Sequence, residues 1–110
     1  MSTLDIDHEV FALAVSFSEN AMTASLDDGR TISVPLAWYP RLLAGTPEER
    51  AKYELIGDGE GIHWPDLDED ISVEGILAGR RSAESASSLA RWLSQRRDDS
   101  NNRTQRSDDA

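Results

Sequence analysis

His8 and His63 are the only side chains in this 110-residue chain whose ordinary titration lies near neutrality. Asp66, Asp68 and Asp70 follow His63 at alternate positions. An imidazole near carboxylates can supply a metal site or a general base. The D-x-D-x-D spacing matches the first half of a calcium loop. That loop also needs Gly at its sixth position and Glu at its twelfth. Those places hold Ile71 and Leu77, so no metal is expected. The plainer reading is an acidic patch of solvated carboxylates, with Asp70 or Ser72 capping a short helix. His63 is then a hydrogen-bonding residue beside Trp64 and Pro65. Cysteine is absent, which removes disulfides, thiol chemistry and thiolate-ligated metals. No serine sits in a nucleophile-elbow context. Gly57-x-Gly59-x-Gly61 encloses Asp58 and Glu60, whose charge opposes a phosphate. No enzymatic activity and no cofactor are expected.

Aromatic residues offer a different chemistry. Trp38, Tyr39 and Trp64 are three of seven aromatics, and all lie close to prolines. Aromatics with Arg are the usual anchors of protein interfaces. Trp38, Tyr39 and Arg41 with His63 and Trp64 are therefore a candidate partner-binding patch. The alternative is that they form the second wall of a small core, which a chain of this size needs. Leu89, Trp92 and Leu93 are a second candidate contact. They would dock on the body, pair with another copy, or fold on a partner.

Elements must position these groups. Leu13, Val15 and Phe17 alternate with small or polar residues, as do Met22, Ala24 and Leu26, and then Ile32 and Val34. Period two marks strands with one apolar face. Ser18-Glu19-Asn20 and Asp27-Asp28-Gly29 supply the turns between them, the second being a strong hairpin signal. Leu36 to Gly45 covers the meander, with Pro40 in the first turn of a short helix. Thr46-Pro47-Glu48-Glu49 reads as a capping box opening a helix that runs to Lys52 or Tyr53. Tyr53–Ile56 and Gly61–Trp64 read as short strands around the glycine-rich turn. A one- to two-turn helix then buries Val73, Ile76 and Leu77 and ends at Gly79.

This gives an α+β fold: an antiparallel β-meander of three or more strands covered by short helices, plus a C-terminal helix. Residues 1–79 form one domain. Residues 80–97 hold a weak, alanine-rich amphipathic helix capped by Ser82. Residues 98–110 contain no Val, Ile, Leu, Met or aromatic side chain and are expected to be a disordered polar tail.

Charge narrows the partner class. The net charge is −10. Residues 1–79 carry sixteen acidic and four basic groups, a net of −12, whereas residues 80–110 carry seven Arg and five acidic groups. Such a body repels nucleic acid and attracts a basic protein, or it simply keeps the chain in solution. There is no apolar run of about 18 residues and hence no membrane-spanning helix. Met1 to Val10 holds three acidic residues and no basic cluster, unlike a secretory signal, so a cytoplasmic location is expected.

Three stretches carry a resemblance to a known family. They are Gly29-Arg30-Thr31-Ile32-Ser33-Val34-Pro35-Leu36-Ala37-Trp38-Tyr39-Pro40-Arg41-Leu42, then Thr46-Pro47-Glu48-Glu49-Arg50, and then Gly61-Ile62-His63-Trp64-Pro65-Asp66-Leu67-Asp68-Glu69-Asp70-Ile71-Ser72-Val73-Glu74-Gly75. Together they resemble the bacterial family called domain of unknown function 2442, over roughly residues 10–79. The resemblance implies a small α+β domain with an antiparallel sheet and no settled activity. It also implies an antitoxin-like partner role in a small two-gene system. Some relatives add a C-terminal helix-turn-helix, for which residues 80–110 are too short and too polar. The expected function is a non-enzymatic protein-binding module, with a small basic protein as its partner. The alternative is a structural or adaptor domain that homodimerises through its C-terminal helix.

Overall fold

A computed structural model describes the backbone of residues 9–109 and the side chains of residues 9–98. Alternating apolar residues form the first three strands: β1 (Ala12–Phe17), β2 (Ala21–Leu26) and β3 (Thr31–Pro35). They pair as an antiparallel meander in the order β1-β2-β3. Met22, Ala24 and Leu26 are buried opposite Phe17, Val15 and Ala12 respectively. Gly29 closes the β2–β3 turn at φ 94°, a conformation costly for any residue with a Cβ.

The expected apolar face of β1 is wrong at one position. The β1–β2 register shifts between Ala12 and Ala14, so Leu13 is the extra residue of a bulge. Ala12 takes the inward place and Leu13 is 61% exposed. Val15 returns to the core and Phe17 packs against it.

A 3₁₀ turn over Leu36–Trp38 leads into α1 (Pro40–Ala44), and α2 follows at Pro47–Ala51. The capping box is complete: Thr46 Oγ1 accepts from the Glu49 amide at 3.1 Å, and Glu49 Oε1 accepts from the Thr46 amide at 2.9 Å. A second antiparallel sheet, in the order β4-β5-β6, comprises β4 (Glu54–Ile56), β5 (Gly61–Trp64) and β6 (Glu69–Ser72). β6 occupies what the sequence suggests is an acidic lead-in to a helix. Its apolar content is a single buried residue, Ile71, opposite Ile62. Leu67, in the turn before it, is fully buried.

Ser72 caps α3 (Val73–Leu77), its Oγ accepting from the Gly75 amide at 2.9 Å. Val73 and Ile76 are buried, but Leu77 is exposed, contrary to expectation. By spacing Leu77 shares the face of Val73, but it is the last residue of this five-residue helix and stays at the surface. The last helix, α4, runs from Ala86 to Asp109. Ser85 rather than Ser82 opens it, with Ser85 Oγ accepting from the Ser88 amide at 3.1 Å. The backbone stays helical past Arg97, and no Gly or Pro lies in that span to stop it. Side chains beyond Asp98, which bear on the expectation of a disordered tail, lie outside the described residues.

Both sheets, α1, α3 and the docked part of α4 share one core, from Ala12 to Trp92. Where the sheets approach, Gly59 lies against β1. A Cβ at Gly59 would stand 2.3 Å from the Ala12 carbonyl oxygen.

Candidate binding surfaces

The five residues weighed as a candidate patch are separated by the fold. Trp64 is fully buried. Its Nε1 donates to the Arg50 carbonyl at 3.0 Å, and its ring meets Phe17 edge-on at 6.2 Å. Tyr39 is buried, and its hydroxyl donates to the Arg80 carbonyl at 2.9 Å. Trp38 is partly buried with the Arg81 guanidinium 4.9 Å from its ring. His63 faces away from Trp64, because successive side chains of a strand point to opposite faces. These aromatics serve chiefly as core.

The outer face of the second sheet is polar. Glu54, His63 and Asp70 stand directly opposite one another across β4, β5 and β6. His63 Nδ1 lies 2.5 Å from Asp70 Oδ1. That hydrogen bond, helped by the charges of Asp70, Glu54 and Asp68, raises the imidazole pKa above its usual range. Ile56 is exposed beside this row, opposite Gly61, which is in turn opposite Ser72. Asp66 and Asp68 lie in the β5–β6 turn. Asp66 is 3.7 Å from Lys52, and Asp68, 84% exposed, reaches Arg41. Among the described residues, no three His, Asp or Glu side chains converge in a way that would hold a metal ion. His8 lies outside the described residues.

Arg41 belongs to a different site, the seat of α4. Its Nε and Nη2 donate to Glu84, the shortest contact being 2.5 Å, and its Nη1 donates to the Asp68 carbonyl at 3.0 Å. The two paired side chains are only 16% and 11% exposed. Arg41 and Arg96 each stack on Trp92, 4.9 and 4.8 Å from the ring. Arg96 also donates to Glu49 at 2.8 and 3.1 Å. Leu89 and Leu93 complete the contact as partly buried side chains. Arg41 holds Glu84 below the usual carboxylate range, and Arg96 does the same for Glu49. Glu69 shifts the opposite way, raised by burial. Of the residues expected in the tail contact, all three therefore meet the body of their own chain. Glu49, Glu84 and Arg96 were not legible in advance, because ion pairs spanning 43 and 47 residues leave no periodic signal.

A family model described as protein of unknown function (DUF2442) matches residues 12–82. The chain belongs to that family. The matched span ends before α4, so the family domain comprises both sheets and the three short helices. Two solved structures resemble it. One is a crystal structure of a protein of unknown function from Rhodospirillum rubrum, 25% identical, with TM-score 0.62, covering 70% of this chain and 95% of that one. The other is a solution NMR structure of an uncharacterized protein from Chromobacterium violaceum, 25% identical, with TM-score 0.59, covering 82% of each chain. No curated protein matches the chain. Among the described residues, no helix is long and apolar enough to cross a membrane.

Proposed function

We propose that this protein is a non-enzymatic protein-binding module whose partner is a small basic protein. The observation that carries this reading is the Glu54–His63–Asp70 row on the outer face of the second sheet. It is flanked by Asp68, whose charge is felt at His63, and by the exposed Ile56. Such a face combines negative charge for encounter with an apolar contact for retention. An antitoxin-like role, in which the acidic face occludes a basic partner, fits this chemistry and a cytoplasmic setting. Nucleic acid is disfavoured by a body of net −12. Packing of Trp92 on its own chain favours this reading over a dimer built through the C-terminal helix.

The test is co-purification from the native host, using the tagged full chain beside a variant with Glu54→Lys and Asp70→Lys. The expected result is a stoichiometric small basic protein on the natural chain, absent from the variant. It should be released near roughly 1 M salt, where the Debye length falls to about 3 Å. Equal capture by both chains, or a homodimer with nothing attached, defeats the reading.

A further inference from the structure

A groove of about 590 Å³ runs between the outer edge of β1 and α2, lined by Val15, Phe17, Glu19, Arg50, Ala51 and Tyr53 among others. Three observations converge on it. The first is an open strand edge. β1 has β2 on one side only. The Val15 amide points away from β2 and donates to the Tyr53 hydroxyl at 3.0 Å. By the alternation of an antiparallel ladder, the N–H and C=O of Phe17 point the same way, into the groove. The second is that the edge is open at one end only. Gly59 packs against Ala12, and Tyr53 holds Val15, so a chain pairing along Phe17 from the Glu19 side must stop at Val15. The third is a cation without a carboxylate partner among the described residues, its guanidinium 5.9 Å from the Phe17 ring. Arg50 donates through Nη1 to the Leu42 and Gly45 carbonyls, at 2.9 and 2.6 Å, and its Nε is buried without a partner. Among the described residues it forms no ion pair, although the surrounding body is strongly acidic.

A groove with a blind end accepts the end of a chain, and a cation at its wall selects the end that is negatively charged. We propose that the β1–α2 groove binds the free C-terminal carboxylate of an extended segment from a partner protein. The segment adds antiparallel to β1, its last residues bonded to Phe17 and its carboxylate facing Arg50. Val15, Ala51 and Tyr53 offer apolar contact to its side chains, and Glu19 at the open end favours a basic residue a few positions upstream. Backbone pairing supplies affinity and the carboxylate fixes register, as in other strand-addition modes. This surface is distinct from the acidic face of the second sheet.

The test is an amide-resolved NMR titration of the full chain with the peptide Lys-Thr-Val-Thr-Val. The same peptide as its C-terminal amide is one control, and a peptide copying this chain's own Arg106–Ala110 is another. Saturable shifts should gather at Phe17–Glu19 and at the Arg50 Nε–H. The amide should bind at least about tenfold more weakly, the equivalent of one charge-assisted contact. Arg50→Gln should abolish discrimination between acid and amide. Because Arg50 also ties down two carbonyls, Ala51→Trp serves as an independent variant that fills the groove from an exposed position and should block both peptides. Equal affinity for acid and amide, shifts centred elsewhere, or no shift at millimolar peptide overturns the proposal. Preferential binding of the Arg106–Ala110 peptide overturns it in favour of self-association.

Discussion

His63 and Trp64 are adjacent in sequence, yet one faces solvent and the other the core. His63 bonded to Asp70 gains a partner for its charged form, so its folded pKa lies above 6.5. The stabilisation is fully present below the unfolded value and is lost as pH rises through the folded one. An NMR titration should therefore place the His63 midpoint above 6.5, and Asp70→Asn should bring it down towards that value. Trp64 belongs to packing. Trp64→Ala removes a fully buried indole and its bond to the Arg50 carbonyl, and should cost about 3–5 kcal/mol in denaturant unfolding. Trp64→Phe should cost less, since only the bond and part of the ring are lost. That these two neighbours divide between solvent and core follows from strand period once β5 is recognised. Side-chain type alone left a shared patch and a wall of the core both open.

α4 is held mainly by Trp92 and by two Arg–Glu pairs, rather than by a continuous apolar stripe. Trp92→Ala should raise hydrogen exchange along α4 by roughly a hundredfold, the equivalent of about 3 kcal/mol of lost docking, while β2 and β5 amides remain protected. The helix should also release in acid. Glu84 and Glu49 both have lowered folded pKa values, so their contribution is present above the unfolded value and is lost as pH falls through the folded ones. Trp92 fluorescence should change below about pH 4.5, the ordinary value for Glu, before the sheets unfold. Elements differed in how legible they were. The first meander and the α2 capping box were readable because their residues obey strict spacings. β6 was hidden, since Glu69, Asp70 and Ser72 are polar and only Ile71 points inward. The bulge at Leu13 was hidden for the opposite reason, because an unbroken alternation of apolar residues gives no sign of an inserted one.

The whole molecule is an acidic two-sheet body with an Arg-bearing helix strapped to it. Its fold should not depend on that strap, although α4 adds to its stability. A chain ending at Ala83 keeps the bonds from Tyr39 to Arg80 and from Ser82 to Trp38. It should unfold cooperatively, with a lower Tm than the full chain but an intact near-ultraviolet circular dichroism signal from Trp64; a molten body would show that the two sheets need α4 to fold. At this scale the fold class and the excess of acid were legible, whereas the course of α4 across the body was not. The close approach of Gly59 to Ala12 also bears on the order of events in time. Each sheet is a meander of near neighbours and can form from local pairings, whereas this seam joins residues 47 positions apart. Sheet docking is then the late step, and a side chain at position 59 should leave the refolding rate nearly unchanged while making the protein come apart faster.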